Sequence, residues 1–263
     1  METQLLETMF GRMGARVKVR HVRPPRERAG VDIQIDNRGE YFDIGVSRVE
    51  PIEYQVIDVR PEARHLLLMA RTNEEKQKFL CGHDERHWFV CAVPGASVSN
   101  VKAAMEALQP QEVRTSVQRR VKRIKNRLKR RNEAFVRQGE WFFIPAPNLT
   151  VNEKLIRKNE PLSRGWGSKP HMCQYLYRDG GTVVYVCRRR PNGVSAERYR
   201  RLLLENRDAG TWNWTVRLRD ANVYVCGRVS HVDHKTVVLN GWHRVLMNTE
   251  RLAPGAPSVV FLD

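Results

Sequence analysis

The sequence predicts an α+β protein in which two antiparallel β-rich lobes, each a barrel or a sandwich, are joined by a helical segment containing a long basic amphipathic helix. Three observations carry this reading. Between Ala15 and Val93, apolar and polar residues alternate in short runs separated by turn formers, the pattern of successive strands. From Ser97 to Arg137 the apolar spacing changes to threes and fours, as on one face of a helix. After Gly139 the period-two pattern returns. The expected domains are 1–95, β-rich with a short leading helix; 96–138, the helical connector with the basic helix; and 139–263, β-rich with one helix near 195–206.

The elements follow in order. Leu5, Leu6, Met9, Phe10 and Met13 share a helical face, and Gly11 and Gly14 keep that helix short. ARVKVRHV, VDIQIDN, YFDIGVS, EYQVIDVR and RHLLLMAR then read as strands, with PPRERAG and DNRG as turns. KFLCGHDERHWFVCAV adds two more around a turn near Glu85. Ser97 or Ser99 is expected to cap VKAAMEALQ, which Pro110 ends. EWFFIPAP opens the second β-rich part, and residues 158–171, KNEPLSRGWGSKPH, are expected to be an exposed loop. TVVYVCRR is a strand, Ser195 caps SAERYRRLLLEN, and NWTVRLRD, NVYVCGRVS, KTVVL, WHRVLMN and SVVFL complete the series through hairpins.

The charge balance points outward. Forty-six Lys and Arg face 29 Asp and Glu, a formal net charge of +17, which fits a polyanionic partner. The charge concentrates in RTSVQRRVKRIKNRLKRRNEAFVR, residues 114–137. Read as one helix, this stretch puts Val117, Val121, Ile124, Leu128 and Phe135 on a stripe that docks on a core, with Val121, Ile124 and Leu128 as anchors. Arg119, Arg120, Lys122, Arg123, Lys125, Arg127, Lys129, Arg130 and Arg131 fill the remaining surface, and a phosphate backbone would relieve their mutual repulsion. Arg164, Trp166 and Lys169 add a basic, aromatic loop suited to phosphates and unpaired bases, and Trp212 and Trp214 are further stacking candidates.

Evidence for chemistry is thinner. Cys81, His83, His87 and Cys91 have zinc-ligand residue types, but along one strand His87 and Cys91 stand about 13 Å apart, too far for one ion, so no metal is expected there. No Gly-rich phosphate loop occurs. SHVDH, residues 230–234, resembles the second half of the HxHxDH motif of the metallo-β-lactamase fold, with Val229 where the first histidine would stand. That fold also alternates strands with helices, whereas the flanks here read as hairpins. His234 with Thr236 matches one HxT of the two-histidine phosphoesterases, without a second copy. What remains is a group of His231, His234 and His243 able to serve as general acid or base, or to hold a metal.

No stretch approaches the roughly 18 apolar residues of a membrane span, and the basic residues of the first twenty follow the apolar ones, opposite to a secretory signal. Five scattered cysteines read as reduced thiols. The function expected is nucleic-acid binding, RNA before DNA, as the RNA-binding component of a cytoplasmic ribonucleoprotein complex, without a cofactor and without a membrane partner. One rival is a nuclease using His231, His234 and His243, with or without a metal. The other is an assembly protein whose basic helix meets an acidic protein.

Overall fold

A computed structural model describes residues 2–22, 30–47, 51–95, 97–164 and 168–252. It is a mixed α+β structure with mostly antiparallel sheets, and no sheet of the described residues closes into a barrel. The chain forms two compact units. One is Met1–Trp141 with the returns Asp233–Lys235 and the segment from Met247; the other is Phe142–Val232 with Thr236–Leu246.

The first unit opens with α1 (Glu2–Arg12), β1 (Val17–Val22), β2 (Gly30–Asp36) and β3 (Gly39–Ser47). Gly14 ends α1 at φ 78°, a left-handed conformation that costs glycine little. The Gly39 turn folds β2 back on β3, and β1 pairs with the other edge of β3 in parallel. That parallel pair is an exception within an otherwise antiparallel expectation: β2 lies between β1 and β3 in the chain, long enough a connection for a parallel return.

Next come β4 (Glu53–Arg60), β5 (His65–Arg71), β6 (Lys76–Asp84) and β7 (His87–Ala92), an antiparallel sheet in chain order. In β5, Leu66, Leu67 and Leu68 are all fully buried. Leu66 and Leu68 join Phe10, Met13, Phe42 and Ile44 in one core, while Leu67 joins Leu80, Val101, Ala104 and Leu108 in another. The sheet is therefore covered on both faces, which explains the unbroken apolar run LLLMA, residues 66–70, in place of an alternating one. Cys81 belongs to the first core and Cys91 to the second, so they sit on opposite faces and cannot share an ion.

α2 (Val101–Ala107) covers the second core. Its cap is Asn100, whose Oδ1 accepts from the Ala103 N–H at 2.9 Å, where Ser97 or Ser99 was expected. α3 (Gln111–Arg120) and the short β8 (Val136–Gln138) complete the unit's main elements.

The second unit contains β9 (Trp141–Pro145, from Phe142 on), β10 (Arg157–Leu162), β11 (His171–Asp179), β12 (Thr182–Cys187), β13 (Arg190–Ser195), α4 (Ala196–Glu205), β14 (Thr215–Arg219), β15 (Asn222–Ser230) and β16 (Val237–Met247). One sheet runs β10-β11-β15-β16-β9 and another β13-β12-β14. β10 replaces the first part, 158–162, of the loop expected at 158–171, and β11 begins at its last residue, His171. β10 is an edge strand, where Pro161 is tolerated because one side of an edge needs no N–H donor. KTVVL and WHRVLMN form one strand, β16, passing through Gly241 at φ 79°. Ser195 caps α4, its Oγ accepting from the Arg198 N–H at 3.2 Å. SVVFL lies outside the described residues. Among the described residues no helix is long and apolar enough to cross a membrane.

The cysteines give a simple check on this packing. Cys81, Cys91, Cys173 and Cys187 are buried and Cys226 is half-buried. Burial pushes the Cys173 thiol up to about 12 and that of Cys81 further. A thiol reagent should titrate a single cysteine in the native protein and all five after unfolding. Cys226→Ser should abolish the native signal; a fast second thiol would contradict the packing.

Candidate nucleic-acid interface

The long basic helix does not form. α3 ends at Arg120, and Val121 is extended at φ −96° and ψ 97°. Two physical causes combine. Continuing the helix would set Arg119 beside Arg123, Arg123 beside Arg127, and Lys125 beside Lys129, like-charge pairs that each cost a few tenths of a kcal/mol at about one helical turn's spacing. Asn132 also supplies the following backbone with other hydrogen bonds. Its Nδ2 donates to the carbonyls of Asn126 at 3.2 Å and Arg127 at 3.4 Å, and its Oδ1 accepts from the N–H groups of Ala134 at 2.9 Å and Phe135 at 3.1 Å. One amide thus ties both limbs of a loop over residues 121–135.

The ends of this loop are fixed by burial. Val121 is 1% exposed and Phe135 2%. Ile124, expected as an anchor, is 64% exposed on a 3-10 turn, Ile124–Asn126, because the stripe loses its helical register beyond Val121. Ile124→Ala should therefore leave stability within about 0.5 kcal/mol of wild type in denaturant unfolding, as at other exposed positions.

The basic residues divide by role. Arg119 and Arg120 are exposed in the last turn of α3, and Lys122, Arg123, Lys125 and Lys129 are exposed on the loop. Among the described residues none of these six, nor Arg127, makes an ion pair. Arg127 is half-buried with its Nε out of solvent and unbonded, beside an Asn126 Oδ1 in the same condition. Such buried polar atoms are costly unless something satisfies them. Arg131 is exposed and bridges to Val136 through its backbone.

Arg130, expected among the phosphate contacts, is different in having carboxylate partners. Its guanidinium pairs with Asp84 and Glu85 at the turn between β6 and β7, and Arg137 reaches Asp84 at 3.4 Å. Burial, then the neighbouring Arg137, lowers the Arg130 pKa to about 10, which leaves it charged at neutral pH. Arg130 fastens the loop to the sheet. Asp84, Asn132 and Arg137 escaped sequence reasoning; the one available signal was an asparagine, a turn former, inside a basic run.

In the second unit, the Arg164 N–H donates to Ser168 Oγ at 3.2 Å, Ser163 and Ser168 hydroxyls lie 2.9 Å apart, and Lys169 is exposed. Trp166 lies outside the described residues.

The histidines are rearranged relative to expectation. His243 sits within β16 opposite Val225, its Nδ1 2.9 Å from the Gly241 carbonyl oxygen. His231 follows the far end of β15, roughly 15–20 Å away along the strand. The structure brings His231 instead to His171, the first residue of β11: the rings stack at 4.2 Å and 22°, and His231 Nε2 lies 3.3 Å from the Lys169 carbonyl oxygen. Ring nitrogens of this pair come within 4.8 Å, close enough to be drawn to one ion. Near-parallel rings aim their lone pairs side by side, so sharing an ion requires one ring to turn. His234 comes three residues after His231, in the segment that groups with the first unit.

Comparison with protein-family models, curated proteins and solved structures finds no match to this chain.

Proposed function

We propose that this protein binds nucleic acid, RNA in preference to DNA, as the RNA-binding component of a cytoplasmic ribonucleoprotein complex. The observation that carries the reading is the series Arg119, Arg120, Lys122, Arg123, Lys125, Arg127 and Lys129, cations without carboxylate partners among the described residues in the last turn of α3 and on the following loop, which Asn132 holds in one shape. Phosphate oxygens are the ligands that such a loop attracts, through charge and through the bidentate fork of arginine. RNA is favoured because a short loop has neither the length nor the regularity of a major-groove reading helix, whereas irregular and single-stranded RNA is recognised by shape and backbone.

Salt titration tests the reading. With about four to six phosphates engaged, the logarithm of the association constant should fall with the logarithm of salt at a slope of roughly −3 to −4. Affinity that stays flat from low to moderate salt would overturn it.

The stacked His171 and His231 favour one rival, a histidine-dependent nuclease. Labelled RNA incubated with and without divalent metal separates the two. Cleavage lost in His231→Ala and kept in His243→Ala would establish the nuclease; intact RNA leaves binding alone.

A further inference from the structure

A row of rings crosses the β13-β12-β14 part of the second unit. Tyr185 on β12 stacks on Tyr199 of α4 at 4.0 Å and 4°. Tyr199 meets Trp214 edge-on at 5.0 Å. Trp214 stacks with Trp212 at 5.8 Å and 27°, and the Arg189 guanidinium lies 4.7 Å over the Trp212 ring. The row therefore starts under a helix and ends at an exposed cation.

The ring behind the outer one is held by a hydrogen bond. Trp214 Nε1 donates to the Ala209 carbonyl at 2.7 Å. Asn213, between the two tryptophans, is left-handed at φ 52°, a turn conformation that asparagine adopts more readily than most residues. Arg188, Arg189 and Arg190 are exposed in succession at the turn from β12 to β13 and make no ion pair among the described residues. The acids of α4 are already engaged, Glu197 with Arg201 and Glu205 with Arg198.

We propose that the Arg189–Trp212 pair is a stacking platform for one unpaired nucleobase of an RNA strand, with Arg188 and Arg190 taking the adjoining phosphates. A guanidinium over an indole adds a planar, weakly hydrated cation to the end of the stack. Bases stack on such planes regardless of sequence. An acidic peptide would use the same charges but has no need of the flat face, which is why RNA is the occupant argued for. The inference rests on the RNA-binding reading and adds a second contact, on residues separate from the basic loop.

The test uses the full chain and a uridine oligonucleotide of about ten residues, compared with an abasic strand carrying the same phosphates. Wild type should prefer the base-containing strand about tenfold. Arg189→Ala and Arg189→Lys should both lose that preference, because lysine keeps the charge and not the plane, while binding to the abasic strand survives in Arg189→Lys. Both variants alter an exposed side chain, and unchanged melting would show that folding is intact. Equal wild-type affinity for the two strands, or full preference retained in Arg189→Lys, overturns the platform and leaves the salt-dependent loop reading standing. Binding of neither strand overturns both.

Discussion

Replacing Lys122, Arg123 and Lys125 together with alanine is expected to weaken RNA binding by about two orders of magnitude at low salt, with thermal stability unchanged. All three side chains are exposed and none makes an ion pair among the described residues, so the folded state loses no contact. Removing these three cations should also reduce the salt slope by about two, since each phosphate contact with a single strand contributes roughly 0.7. Fluorescence anisotropy at several salt concentrations measures both quantities. A triple variant that binds with the wild-type slope would place the interface elsewhere, and one that no longer folds would show that these cations have structural partners.

Asn132→Ala should lower stability by about 2 kcal/mol, because one truncation removes several part-buried hydrogen bonds worth roughly 0.5–1.5 kcal/mol each and leaves backbone groups unsatisfied. The affinity consequence is more informative. The variant keeps every positive charge, yet it frees the loop, and ordering the loop again on binding should reduce affinity about tenfold. Amide exchange at Ala134 and Phe135, whose N–H groups donate to Asn132 Oδ1, should accelerate. Asn132→Asp retains that acceptor but loses the donor, and should be intermediate in stability. If Asn132→Ala binds RNA as wild type does, the loop acts as a diffuse charge and its shape is irrelevant.

The β-rich character was legible in the sequence because two-residue alternation is written locally, as in VDIQID and EYQVIDVR. So were the helices ETQLLETMFGR and AERYRRLLLE, the second with its serine cap. The fate of residues 121–135 was not. Their apolar spacing fits a helix, and what overrules it is the conjunction of repulsion along the run with a side chain, Asn132, whose partners lie five and six residues back and two and three ahead. Periodicity has no means of weighing such bonds. The parallel pairing of β1 with β3 was hidden for a related reason: strand order depends on which edges remain open after β2 and β3 have paired. The same holds for His171 and His231, sixty residues apart in the chain and neighbours only through the pairing of β11 with β15.

The basic loop begins at buried Val121, ends at buried Phe135 and is pinned between them by Arg130 to Asp84 and Glu85. Everything from Lys122 to Lys129 is thereby suspended between fixed posts, outside both cores. This makes the segment an exchangeable cassette. Its charge can vary without disturbing the sheets, since the exposed side chains of Lys122, Arg123, Lys125 and Lys129 belong to neither core. A library randomised across those positions should yield folded proteins of widely differing affinity, and a negatively charged version should fold as well as the native one while repelling RNA. Folding and target choice would then be adjustable one at a time.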